Sequence, residues 1–399
     1  MSRLFWCGIF LLLAAGGGTA QERVSVREEP GTPIVAAEVW IAAGSADEPP
    51  GGAGLAYLTA RAAVRPIRAR LDSLGASLVV GSRKDAVTFS LTAAPQVWGT
   101  ATGALLDALL GTPVDAAAVA EERAAIRSEL AGRASNPADA LARAVDRAVY
   151  GAAGSRGRSS VGTPEEIGAL TPAQADGFLR DNFVPERMVV AVVGPVDRAD
   201  VTARFPGLLP HTVWKQPPLP GVAAADTTLR VDYNSITSWV AASYPFGDEA
   251  DIPALRLLAD LAAERLNFGP ARRSVYDVGA GVILHPGGGE LRVELVVPPG
   301  ESSLWTERIR EAVTAYADEP LPRARFDAEL RRHRGLRLLQ LSAPEDRAAR
   351  DAESLLLRGR TTEAPAELDA LTPARLAAAA AALAPPTVVV FGPLANISD

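Results

Sequence analysis

Leu170-Thr171-Pro172-Ala173 recurs as Leu371-Thr372-Pro373-Ala374, 201 residues further along the chain, and this echo decides how the sequence is read. In both copies Thr171 or Thr372 stands as an N-cap with proline at the first helical position. A helical run and then a β-branched strand follow each. Those strands end Val192-Val193-Gly194-Pro195 and Val390-Phe391-Gly392-Pro393. Upstream, Asp85 to Thr92 alternates, with Val87, Phe89 and Leu91 on one face, and leads to Pro95 and a helical pattern. Glu290 to Val297 leads to Pro298-Pro299 and another. Features matched in order at a near-constant offset indicate an internal duplication.

The repeat sets the domain plan. Residues 206–225 hold five prolines and no helical or strand period, which predicts an extended linker. The expected domains are 21–205 and 226–399. Within each, long helical patterns (Asp115 to Tyr150; Pro322 to Arg358) lie apart from hairpin-like strand pairs such as Leu78 to Thr92. That predicts an α+β fold of two tandem homologous domains, each a largely antiparallel sheet with helices packed on it.

Composition narrows the function classes. Of 399 residues, 48% are hydrophobic and 22% charged, as in globular proteins, and the formal net charge of −7 offers no footprint for nucleic acid. Residues 1–20 read as a secretory signal peptide: Arg3, an apolar run from Leu4 to Ala15, and Gly18-Thr19-Ala20 for cleavage. The run is short for a membrane span, and no later one is long and apolar enough, so an exported, periplasmic or extracytoplasmic protein without a transmembrane segment is expected. The single cysteine, Cys7, lies within that leader. The mature chain would have neither disulfide nor thiolate metal site.

Gly51-Gly52-Ala53-Gly54-Leu55-Ala56-Tyr57-Leu58-Thr59-Ala60-Arg61 has the frame of a catalytic metal helix without its chemistry. In the inverted zinc motif H-x-x-E-H, two histidines one turn apart hold the metal and the glutamate activates water. Here Tyr57, Ala60 and Arg61 occupy those three places. The chain has three histidines, His211, His285 and His333. They form no pair with zinc-ligand spacing. His211 falls in the linker, His285 beside a Pro286–Gly289 turn, and His333 in an Arg-rich helix, where a surface position is expected. Gly287-Gly288-Gly289 reads as a flexible turn, since no strand-to-helix frame with Lys-Ser/Thr follows it. Ser159-Ser160 has no support as a hydrolase nucleophile.

With these features in order, the chain resembles the insulinase/pitrilysin family of zinc peptidases, in its shorter bacterial, mitochondrial-processing-peptidase-like branch. The strand Ile34 to Ala42 with Ala43-Gly44-Ser45, the turn Leu74-Gly75-Ala76, the helix Glu122 to Leu130 and the loop Gly157 to Glu165 all match that pattern. So does the duplicated plan. The resemblance implies a clamshell arrangement. It places the third zinc ligand at Glu129 and its supporting carboxylate at Glu122. Seven residues is close to two helical turns, so these two also share a face on spacing alone. Ile126 and Leu130 would help to bury that face.

A carboxylate without its metal needs another partner, and Arg61, standing where a histidine ligand would be, is expected to pair with Glu129. The Arg61–Leu74 segment is about eight residues shorter than the family's, which implies a trimmed helix and turn. From the second domain the resemblance carries over Tyr276 and Arg272 or Arg273 as substrate-binding residues. The function it implies is a non-catalytic subunit that pairs with a zinc-bearing homologous peptidase and binds unstructured peptides. Zinc would lie only in that partner, and this chain would need no cofactor. A stand-alone peptide-binding or scaffold protein of the cell envelope is the alternative. A peptidase with unusual ligands is a further one.

Overall fold

The computed structural model describes residues 22–205 and 227–393, apart from 112, 134, 152–153, 269–273 and 362–364. The expected leader and linker therefore lie outside the described residues. The first repeat runs β1 (Val24–Glu28), β2 (Val35–Ile41), α1 (Leu55–Val64), α2 (Arg68–Ser73), β3 (Ser77–Ser82), β4 (Val87–Ala93), α3 (Trp98–Leu110), α4 (Ala116–Gly132), α5 (Pro137–Tyr150), α6 (Pro164–Ala169), α7 (Pro172–Asn182), β5 (Met188–Gly194) and α8 (Arg198–Arg204). The second runs β6 (Thr227–Asp232), β7 (Ser238–Gly247), α9 (Ile252–Phe268), β8 (Asp277–His285), β9 (Gly288–Val297), α10 (Ser302–Asp318), α11 (Arg323–Gln340), α12 (Pro344–Arg358), α13 (Pro365–Asp369), α14 (Pro373–Ala381) and β10 (Thr387–Gly392).

The duplication is visible in the sheets. One has the order β1-β5-β2-β4-β3 and the other β6-β10-β7-β9-β8. In each, a single parallel pair (β1 with β5, β6 with β10) closes one side and the remaining pairs are antiparallel. The α+β plan with two largely antiparallel sheets is the plan the chain adopts. Thr171 and Thr372 cap α7 and α14, accepting from the backbone N–H of Gln174 and Arg375.

Strand burial explains how the repeats join. Every residue of β2, β5 and β10 is buried, so both faces of each central strand must be covered. On one face, Val35, Val39 and Ile41 of β2 pack with Leu58, Phe89 and Leu105 of the same repeat. On the other, Ala36, Trp40, Val189 and Ala191 meet Ala348, Ala352 and Leu355 of α12, a helix of the second repeat. The first repeat reciprocates: Leu141, Val145 and Val149, one stripe of α5, pack on Ala241, Val389 and Phe391. Each repeat thus lends a helix to the other's sheet. Polar contacts fix the exchange. The buried Asp351 of α12 accepts from Ser25 Oγ at 3.0 Å and from Arg27 Nε and Nη2, both at 2.6 Å.

Two sequence expectations are corrected. The glycine run is not a flexible turn: only residues 286–287 turn, and Gly288 and Gly289 belong to β9. A Cβ at Gly289 would lie 2.5 Å from the Phe246 ring, and Gly288 holds φ 146° against the Phe246 carbonyl, so close cross-strand packing selects these glycines. His333 is not on the surface. It is 2% exposed, with Nδ1 2.6 Å from Asp260 Oδ2, because this face of α11 packs on α9.

Because the first sheet depends on α12, Leu355→Ala should destabilise the protein by about 2–5 kcal/mol in urea unfolding. Hydrogen exchange should localise part of that loss to β2 and β5, in the other repeat.

Candidate functional site

Helix α1 is placed by contacts that precede it. Gly54 caps it at φ 84°, where a Cβ would strike Ile167 at 2.4 Å and the Val161 carbonyl at 2.9 Å. Only glycine fits that left-handed, crowded position. The Glu48 carboxylate receives the Gly54 and Ala56 N–H groups at 3.1 and 3.0 Å, satisfying donors that a helix start leaves open. Below the helix, a 3-10 turn at residues 65–67 and the short α2 lead to the Gly75 turn.

From this helix Arg61 reaches across to α4. Its Nε donates to Glu122 Oε2 at 2.6 Å, and its Nη1 lies 2.9 and 2.7 Å from the two Glu129 oxygens. Nη1 also donates to the Tyr57 hydroxyl at 3.2 Å, and the guanidinium carbon stands 5.5 Å from the Tyr57 ring centroid. Glu122 is 1% exposed at its side chain and Glu129 50%. The spacing argument put both on one face, and burial differs because Glu122 lies deeper beneath α1. Ala60 is fully buried and brings only a methyl. Burial works against the Arg61 charge, but hydrogen bonds to Glu129 and Tyr57 and the negative charge of Glu122 hold its pKa above the ordinary arginine value.

Sequence reasoning missed two participants. Arg65, four residues after Arg61 and so on the same face, bonds Glu121 at 2.8 Å and Glu122 at 3.3 Å. That spacing was a readable signal. Glu48 had none, since its role depends on how the loop before α1 folds back. Tyr276 directly precedes the edge strand β8, is 65% exposed, and donates its backbone N–H to the Val296 carbonyl at 2.8 Å. Among the described residues it makes no hydrogen bond to the Arg61 cluster. Arg272 and Arg273 lie outside the described residues.

Residues 23–158 match the model of the family described as Insulinase (Peptidase family M16). That stretch resembles an insulinase-family domain. Curated relatives include proteins named as uncharacterized zinc proteases. One from Mycobacterium leprae is 29% identical over 189 residues, covering 45% of this chain and 42% of its own length. Another, from Mycobacterium bovis, is 31% identical over 173 residues, covering 41% and 39%. The match thus spans about two fifths of those relatives' length. Among solved structures, the inactive domain of an M16 peptidase from Pseudomonas fluorescens aligns at a TM-score of 0.80 and 17% identity, over 96% of this chain and 98% of that one. A chain of complex III2 from Candida albicans aligns at 0.77 and 12%, over 94% and 95%. Those identities speak for the fold.

The insulinase family implies zinc, and the residues here do not fit it. A catalytic zinc site needs three protein ligands and an open position for water. Arg61 instead sets a fixed cation between the carboxylates, and Tyr57 and Ala60 supply neither imidazole nor carboxylate. Among the described residues, no group of three or more His, Cys, Asp or Glu is placed to hold a metal.

Arg61→Ala would leave the buried Glu122 with only the longer Arg65 contact. It should destabilise the chain by about 3 kcal/mol, measured by chemical denaturation. A pH effect belongs to Glu48, whose pKa burial pushes up to about 8 despite its two backbone N–H donors. With the folded value above the unfolded 4.5, the protonated acid is favoured on folding. Its contribution is full below the unfolded value and lost as pH rises to about 8. Wild type should therefore lose stability relative to Glu48→Gln across that interval.

Proposed function

We propose that this chain is a non-catalytic insulinase-like subunit that pairs with a homologous zinc-bearing peptidase and helps to hold unstructured peptide. The observation that carries the reading is Arg61 standing across Glu122 and Glu129, where relatives of this fold would need a metal. The fold likeness to an inactive M16 peptidase domain supports it. In this reading zinc and the reacting water belong to the partner, and this chain needs no cofactor.

The second repeat would contribute the peptide contacts. Tyr276, exposed at the entry to the edge strand β8, and Arg272 or Arg273 just before it would bond the peptide backbone. The leader-like residues 1–20 would send the protein to the periplasm or another extracytoplasmic compartment.

Native co-purification from the envelope fraction should yield a stoichiometric partner bearing H-x-x-E-H. Co-expression with that partner should give peptide cleavage that neither chain shows alone. Tyr276→Phe should leave assembly intact and lower kcat/KM by about tenfold or more. A chain that purifies alone, or whose presence leaves the homologue's activity unchanged, would point instead to a stand-alone binding or scaffold role.

A further inference from the structure

The edge of the second sheet carries a sequence that reads alike in both directions. From Val278 to Val282, β8 runs Val-Gly-Ala-Gly-Val, with Ala280 at the centre. Two antiparallel strands related by a two-fold axis set residues opposite one another symmetrically about that axis. With the axis at Ala280, Val278 faces Val282 of a second copy, Gly279 faces its Gly281, and the two Ala280 residues face each other. β3, the matching edge of the first sheet, runs Ser-Leu-Val-Val-Gly-Ser and lacks this symmetry.

The backbone groups needed for such a pair are free to make it. Residues 286–287 form a two-residue turn, which makes His285 and Gly288 a hydrogen-bonded pair. Bonded pairs recur at every second residue, so Asp277, Gly279, Gly281 and Ile283 turn their N–H and C=O groups towards β9. Those of Val278, Ala280 and Val282 point the other way. Among the described residues no strand pairs with β8 on that side. Two copies meeting there would exchange about six hydrogen bonds, centred on Ala280.

The side chains suit the same pairing. Val278, Ala280 and Val282 pack against the core of the second repeat, so a second copy would continue that apolar layer. On the other face a Cβ at Gly279 or Gly281 would meet no heavy atom within 4 Å, which leaves room for another backbone to approach. Ile283 on that face is 42% exposed. The usual guards of an edge strand are missing: β8 has no Lys, Arg or Pro, and its one acid, Asp277, stands at its start.

We propose that two copies of this chain pair through β8, antiparallel about Ala280, and join their five-stranded sheets into one. The inference stands independently of the zinc-bearing partner. It uses the backbone edge that the proposed function gives to peptide, so self-association and peptide binding exclude each other. One strand pair is a small interface, and a dissociation constant on the order of micromolar is expected.

Sedimentation equilibrium tests this on the chain alone, purified in the form the cell accumulates. Between about 1 and 200 µM the weight-average mass should rise from one chain towards two. Ala280→Pro removes the central outward N–H at an edge position that tolerates proline, and should leave a folded monomer. The register has its own test, since both glycine positions have room for side chains. Gly279→Lys with Gly281→Lys sets lysine against lysine at both places. Gly279→Lys with Gly281→Glu sets lysine against glutamate, and should associate about tenfold more tightly than the double-lysine chain. Added lysines also reduce the net negative charge, which alone would favour association, so weakening reads the register. A chain that stays monomeric to about 200 µM would overturn the proposal and leave the edge to peptide. Association undiminished by Ala280→Pro, or equal in the two charge variants, would overturn it as well, because the copies would then meet elsewhere.

Discussion

A sheet whose central strands are apolar on both faces has to be covered twice, and neither repeat of this chain can do that alone. The helices α1, α3, α4 and α7 fill one side of the first sheet, but Trp40, Val189 and Ala191 on its other side are covered by α12. The second sheet is completed by α5 in the same way. Exchange of these two helices turns a tandem duplication into one interlocked body. Its charged fastenings, Asp351 with Arg27 and Asp146 with Arg292, sit where the exchanged helices meet the foreign repeat.

Within that frame, the contact between α1 and α4 sets the chemistry the first repeat can offer. A carboxylate as deeply buried as Glu122 requires a cation or a proton. Arg61 provides the cation as part of the fold. Its planar fork meets two carboxylates at once, which a point charge such as lysine would not do as well. Where imidazole ligands are absent, the arginine clasps α1 to α4.

The second repeat meets the same helix pair with other residues. There α9 and α11 bring Glu264 and Glu329 together, with Arg332 reaching them at 2.5 and 3.0 Å, and the buried His333 closes on Asp260. The cation comes from the later helix of the pair instead of the earlier one. Both repeats therefore solve one packing problem, a polar seam between two helices, by mutual neutralisation.

Much of this was legible in the chain itself. The Thr171 and Thr372 caps, the alternation of Val87, Phe89 and Leu91, and the paired Gly-Pro strand ends are local signals, and they set the repeat, the element order and the α+β class. The absence of histidine around Tyr57, Ala60 and Arg61 is a property of composition that no folding can change. Other features needed the tertiary structure, because they depend on contacts between residues far apart in sequence. Spacing gave α5 and α12 apolar stripes but could not say that each would cover the other repeat's sheet. An Arg-rich helix looks solvated until α9 packs on His333, and a glycine run looks mobile until Phe246 is found against it. Local periodicity determined which elements form; desolvation, settled only when the elements pack, decided which charges had to find one another.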